Sequence, residues 1–247
     1  MNPIVLHIPH SATFIPPFLR EAILLDDEQL ALNQSLFTDW RTRDLFTHAA
    51  FPERVVYPVS RLVCDPERFR DDAQEDMAAR GIGAVYVKDA FLRPFRSLDP
   101  ITRELMLQRW YDPHHASLER TVERRVAESG HCLVIDAHSF HGTPLPYEPN
   151  QASGRPDICL GTTDGHTPKL LLRRAIAYFQ RKGYTVGVNW PYAGSMVPLR
   201  FLGDDRVQSL MVEINRDLYV IDPHRKIWRN YAQMKRNIGG FLRAMAG

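Results

Sequence analysis

Residues 131–138 (HCLVIDAH) constrain the fold more than any other stretch of the chain. Four successive apolar residues followed by Asp and His read as a buried strand carrying its polar groups at the carboxyl end. A strand apolar on both faces needs helices above and below it, and the remaining chain supplies them. Residues 4–8 (IVLHI) form a second such strand leading into a loop at 10–17, where Pro16-Pro17 stops any continuation. Residues 26–36 show helical spacing, and 36–50 continue it through Leu36, Trp40, Leu45 and Phe46. Residues 54–64 read as a strand broken by Pro58. The charged, turn-rich stretch 65–83 is expected to be a mobile surface loop or lid.

Residues 100–130 read as one long amphipathic helix interrupted at Pro113, and 140–156 as a Pro/Gly/Asn-rich loop. Strands follow at 158–161, 184–188 and 207–214, with a basic helix at 168–183 and a terminal helix at 223–245. This alternation predicts an α/β fold with a mostly parallel or mixed central sheet and helices on both faces. No internal repeat is visible, so the expectation is a single catalytic domain over 1–247.

Composition narrows the function classes. A chain of 247 residues, 44% hydrophobic and 24% charged, buries a core without disulfides and is neither a disordered tail nor a coiled coil. A formal charge of +2 gives no electrostatic reason to expect nucleic acid or an anionic membrane. No apolar run of about 18 residues is present to span a bilayer, and 1–6 lack the features of a signal peptide. Three cysteines (Cys64, Cys132, Cys159) without a C-x-x-C pair suit a reducing cytoplasm. The Lys- and Arg-rich helices at 169–182 and 226–243 offer a rival reading as a non-enzymatic binding module, although a solvated helix face is the ordinary reason for such charge.

Polar residues interrupt the strand ends. His10 follows the first strand, His138 ends 131–138, and Glu213 lies at the end of 207–214. In open α/β sheets reactive groups gather beyond the carboxyl ends of strands. Two imidazoles and a carboxylate there suit zinc, which keeps one position for water at catalytic sites. In His7-Ile8-Pro9-His10, strand alternation sends the two rings to opposite faces unless Pro9 turns the chain, and His10 is favoured. Asp39 and Asp44 compete as a further carboxylate ligand. Arg61, Arg216 and, less directly, Arg68 offer planar recognition of a carboxylate, against a structural pairing such as Arg61–Asp65. Tyr111-Asp-Pro-His-His115 places His115 as a substrate or proton-shuttling group, and Asn189-Trp-Pro-Tyr192-Ala-Gly194 reads as a tight binding loop. G-x-S-x-G and the glycine-rich phosphate loops are absent.

Taken together, these segments resemble the N-formylglutamate amidohydrolase family. The resemblance rests on His7-Ile-Pro-His-Ser-Ala-Thr13, Thr38-Asp39-Trp40, Ser60-Arg-Leu-Val-Cys-Asp65, Tyr111-Asp-Pro-His-His115, Ile135-Asp-Ala-His-Ser-Phe140, Pro156-Asp-Ile-Cys-Leu-Gly-Thr162, Asn189-Trp-Pro-Tyr-Ala-Gly194 and Glu213-Ile-Asn-Arg-Asp-Leu-Tyr219, in the family's order. The chain departs from the family pattern at Ala12, His114 and Ser195. The resemblance implies a zinc-exopeptidase-like fold, with His10, His138 and Asp39 as zinc ligands and Glu213 as general acid/base. Arg61 and Arg216 would bind substrate carboxylates, with His115, Asn189 and Tyr192 completing the pocket. It further implies a small acidic N-acyl amino acid as substrate, N-formyl-L-glutamate first among them. Another acidic acyl-amino acid or small peptide is the alternative, and another divalent ion could replace zinc.

Overall fold

The computed structural model describes residues 2–222 and 227–246. Strand β1 (Ile4–Ile8) opens the chain and is buried throughout. A short helix α1 (Pro17–Arg20) precedes α2 (Asp27–Phe37), which starts in a capping box between Asp26 and Gln29. Then come α3 (Thr42–Leu45) and β2 (Arg54–Val56). Helices α4 (Pro100–Met106) and α5 (Asp112–Ser129) are joined by a π turn at Leu107–Tyr111, so the interruption expected at Pro113 falls one turn earlier. Widening the helix there satisfies the backbone ahead of a residue that cannot donate. Gly130, at φ 76°, closes α5 in the left-handed conformation and releases the chain into β3 (Cys132–Phe140).

Strand β4 (Ile158–Gly161), helix α6 (Lys169–Arg181), β5 (Val186–Val188) and β6 (Val207–Asn215) complete the central sheet. A small antiparallel pair, β7 (Val220–Asp222) and β8 (Ile227–Trp228), precedes α7 (Tyr231–Ala246). The terminal helix expected from residue 223 therefore begins eight residues later; 223–226 lie outside the described residues. The sheet order is β2-β1-β3-β6-β4-β5. Pairs β2–β1, β1–β3, β3–β6 and β4–β5 are parallel, and β6–β4 alone is antiparallel. The fold is thus mixed α/β, as the sequence pattern predicts.

Side-chain alternation sorts the sheet into two cores. Ile4, Leu6, Ile8, Leu133, Ile135, Leu210 and Val212 face α6 and α7 through Ala175, Phe179, Ile238, Phe241 and Leu242. Val5, Val134 and Val207 face the other way, onto Leu118, Val122 and Val126 of α5. Each such Leu or Val contributes about 1.5–3 kcal/mol when withdrawn from water. The apolar sides of α6 and α7 are spent on this core, which leaves their basic residues as the solvated face of an ordinary amphipathic helix. No helix among the described residues is long and apolar enough to cross a membrane.

Two expectations change in detail. Residues 54–64 form a strand only as far as Val56, because Pro58 ends it. Residues 65–83 contain two short 3-10 turns, Asp72–Gln74 and Asp76–Arg80, and are tied to the α4–α5 region by Arg103–Asp72 and Arg70–Glu104 ion pairs, each 2.7 Å. Met77 and Ile82 are buried among Ile23, Leu62 and Tyr86.

Candidate active site

The site occupies the α5-facing side of the sheet at its carboxyl edge. Successive residues of a strand point to opposite faces. With Leu133, Ile135 and Ala137 on the α6–α7 side, Asp136 and His138 must emerge on the other. The same alternation sends His7 and Glu213 to that face. Parallel register sets His7 opposite Asp136 and His138 opposite Glu213.

His10 lies just beyond β1, past Pro9. Asp39 joins it because the helix expected to run through 36–50 breaks. Thr38 caps α2 in an extended conformation (ψ 133°), and Arg41 (φ 67°) starts α3 afresh. The Asp39 N–H donates to the His10 carbonyl at 2.9 Å, and the Thr42 hydroxyl donates to the Asp39 carbonyl at 2.9 Å. These bonds turn the Asp39 side chain inward. Asp44 points elsewhere, accepting from Lys235 Nζ at 2.7 Å and from the Tyr231 hydroxyl, so it ties α3 to α7.

Asp39 Oδ2 lies 3.1 Å from His138 Nδ1 and 3.7 Å from His10 Nδ1. These ligand atoms all fall within 4.8 Å of one another, and the three residues are buried. On the far side of each ring, His10 Nε2 meets Asp65 Oδ1 at 2.7 Å and His138 Nε2 meets Asp136 Oδ1 at 3.0 Å. A carboxylate accepting the Nε2 proton leaves Nδ1 with its lone pair facing the centre, the usual support for a metal-binding histidine. His10 Nδ1 is buried and makes no hydrogen bond. Two imidazole nitrogens and one carboxylate oxygen fit a divalent zinc-type ion with a position left for water.

Opposed charges set the protonation of the site: against burial, Asp136 and Asp39 hold the His138 imidazole well above its usual range, the charge that a cation would replace. Burial alone would raise the Asp39 carboxyl, but His10 and His138 hold it well below the usual carboxylate range. Burial likewise opposes ionisation of Asp65, and Arg61 with His10 overcomes it. Glu213 is the exception: burial pushes it up to about 8, against the pull of His138. Its Oε2 is buried without a hydrogen-bond partner. A carboxyl raised in this way holds its proton more tightly than an ordinary carboxylate, and a cation bound beside it would favour its ionised form, which makes Glu213 a candidate general acid/base.

The adjoining cavity, about 150 Å³, is lined by His10, Asp39, His138 and Glu213 together with Arg61, Arg68, Arg216 and Tyr192. The arginines differ in what remains free. Arg216 donates to the carbonyls of Leu36 (2.8 Å) and Ser139 (3.1 Å) and approaches Asp39 Oδ1 at 3.6 Å, so it braces that carboxylate. Arg61 donates to Asp65 Oδ2 at 2.6 Å and to the Tyr86 hydroxyl at 2.9 Å, the structural pairing weighed above. Arg68 has only distant carboxylates, Asp65 at 3.8 Å and Glu75 at 3.7 Å, and its Nε makes no hydrogen bond. Tyr192 accepts from Arg155 Nη1 at 3.2 Å and presents its ring to Phe140.

His115 and Asn189 are not among the lining residues. His115 bonds the Pro66 carbonyl at 2.9 Å and stacks on Tyr111. Asn189, at φ 51°, brackets Thr162 through both ends of its amide, at 2.8 Å each. Sequence reasoning passed over Asp136 and Glu67. The spacing of two between Asp136 and His138 signalled a shared strand face. Nothing local pointed to Glu67, which lines the cavity from the 65–83 stretch.

The sequence profile of the family described as N-formylglutamate amidohydrolase matches residues 2–220. An N-formylglutamate deformylase of Pseudomonas aeruginosa is 25% identical over 229 residues, covering 88% of this chain and 82% of that protein. Its counterpart from Pseudomonas putida is 25% identical over 230 residues with the same coverage. The crystal structure of N-formylglutamate amidohydrolase from Ralstonia eutropha JMP134 superposes with a TM-score of 0.80 at 24% identity, covering 98% of this chain and 91% of that one. A gene product of Agrobacterium tumefaciens gives a TM-score of 0.70 at 19% identity, covering 100% and 92%. With a profile match over nearly the whole chain and the same fold in both solved structures, this chain belongs to the N-formylglutamate amidohydrolase family.

Proposed function

We propose that the protein is a metal-dependent amidohydrolase that cleaves N-formyl-L-glutamate with water to formate and L-glutamate. The observation that carries this reading is the convergence of His10 Nδ1, Asp39 Oδ2 and His138 Nδ1, each ring backed by its own aspartate. A zinc ion, or another divalent ion of similar preference, would polarise the formyl carbonyl and acidify a water molecule.

The protein's own groups do the rest. Glu213 Oε2, buried and unpartnered, takes the proton from the attacking water and returns it to the leaving amine nitrogen. Asp65 and Asp136 hold the two rings in the tautomer that faces the centre. Arg216 keeps Asp39 oriented from behind. Arg68, which has no carboxylate closer than 3.7 Å and a buried Nε without a hydrogen bond, pairs with a substrate carboxylate from the cavity wall. Arg61 adds positive potential while anchored to Asp65. Tyr192 lines the cavity beside them, whereas His115 and Asn189 bond Pro66 and Thr162 outside its lining. The whole chain acts as one catalytic domain, in which residues 65–83 close the cavity by presenting Glu67 and Arg68. The three unpaired, buried cysteines suit a cytoplasmic setting.

The test is a panel of N-formyl and N-acetyl derivatives of glutamate, aspartate, glutamine and leucine, read as formate or acetate release. The highest kcat/KM is expected for N-formyl-L-glutamate. Equal or better turnover of the leucine derivative would remove the arginine-lined pocket from the account.

A further inference from the structure

Behind His138 lies a second group of side chains with ligand chemistry. His7 Nδ1 sits 2.9 Å from Asp136 Oδ1 and 3.1 Å from Glu67 Oε1. These atoms lie within 4.8 Å of one another. A single ring N–H cannot be directed at two carboxylate oxygens together, and Glu67 Oε1 is buried without a hydrogen bond. On the opposite edge of the ring, His7 Nε2 meets His114 Nε2 at 2.8 Å. Two imidazole nitrogens that close require one to donate and one to accept, and a His7 that donates from Nε2 to His114 turns the Nδ1 lone pair toward the carboxylates.

Charge points the same way. A proton on His7 leaves one negative charge over among these three groups, of which His7 and Asp136 are buried and Glu67 is partly exposed. A divalent cation with neutral imidazole leaves none. Buried charge without compensation is costly. We propose that His7 Nδ1, Asp136 Oδ1 and Glu67 Oε1 form a second divalent-cation site. The nitrogen in the donor set selects a first-row ion such as Zn²⁺ or Mn²⁺ over Ca²⁺. On binding, the proton between His7 and the carboxylates leaves to solvent and the ion takes its place. Asp136 Oδ1 also accepts from His138 Nε2, so the second ion draws on the carboxylate that backs a ligand of the first. Glu67 belongs to the 65–83 stretch, so the same ion fastens that stretch to the sheet.

The two sites adjoin through Asp136, and the experiment separates them. Full-length protein is stripped with chelator, dialysed, and titrated with Zn²⁺ alone by calorimetry, with bound metal counted by mass spectrometry. Wild type is expected to take up two ions, and Glu67→Gln and Asp39→Asn one each. The ion left in Glu67→Gln is the one at His10, Asp39 and His138, and the ion left in Asp39→Asn is the one at His7. The isosteric Glu67→Gln change leaves the fold unaltered, checked by near-UV circular dichroism. A wild-type stoichiometry of one that Glu67→Gln does not change overturns the proposal, as does a second ion that survives Glu67→Gln. Loss of the ion in Glu67→Gln with retention in Asp39→Asn would keep the second site and reject the first.

Discussion

His138 and Glu213 face each other across the β3–β6 ladder, in register and on the same side of the sheet. One strand pairing therefore sets the His138 imidazole, a candidate metal ligand, beside a buried carboxyl raised to about 8. Neither residue needs a loop to find the other, and rigid strands place catalytic groups more accurately than loops do.

Glu213→Gln tests the role assigned to that carboxylate. The amide keeps the size of the side chain but cannot take a proton. Metal content is expected to stay unchanged while kcat for formate release falls roughly 10²- to 10⁴-fold. Mass spectrometry and steady-state kinetics on the same preparation check both halves.

Arg68→Met tests substrate anchoring. A charge-assisted hydrogen bond contributes about 1.5–3 kcal/mol, so KM for N-formyl-L-glutamate should rise roughly tenfold to a hundredfold. The change in thermal unfolding should be small, because Arg68 has no short ion pair to lose. A matching loss of kcat with KM unchanged would place Arg68 at the reacting atoms instead.

Asp65→Asn probes the support of His10. Asp65 accepts from His10, Arg61 and Tyr86 at once. Removing its charge should weaken zinc binding about 10- to 100-fold, measured by competition with a chromophoric chelator. Asp136→Asn should act similarly through His138.

Asp44→Asn separates the two aspartates that sequence left in competition. Metal content should be normal. Burial is the largest single influence on the Asp44 carboxyl and raises it, but Lys235 and Tyr231 together outweigh it and hold the group below the ordinary aspartate range. A depressed carboxyl favours the folded state above its unfolded value, and that contribution disappears as pH falls through the lowered folded value. The variant should lose about 1 kcal/mol or less at pH 7, since the pair is partly solvated. The difference from wild type should vanish under strongly acidic conditions. Denaturant unfolding at several pH values measures it.

What the sequence reveals divides along the range of the interactions involved. Strands β1, β3, β4 and β6 were legible because short apolar runs end abruptly in polar residues, and with them came His10, His138 and Glu213. The inward turn of Asp39 was not, because helical spacing runs unbroken from Leu36 to Phe46. The break comes from a hydrogen bond to the His10 carbonyl, 29 residues earlier in the chain. Alternation did separate His7 from His10, and the structure shows what that separation produced: His7 backs Asp136 while His10 faces the cavity. The division of labour among Arg61, Arg68 and Arg216 was invisible for a similar reason. Arg216 is consumed by carbonyls of Leu36 and Ser139, partners that only the folded chain brings near it.

The central claim is that a divalent ion on His10, Asp39 and His138 sustains deformylation with Glu213 as base. It is tested most directly by measuring formate release from N-formyl-L-glutamate before chelation, after chelation, and after zinc is restored, in wild type and His138→Ala. The account predicts activity that chelation abolishes and zinc restores in wild type, and that zinc does not restore in His138→Ala. Formate release that survives complete removal of metal, or that zinc restores in His138→Ala, would contradict it.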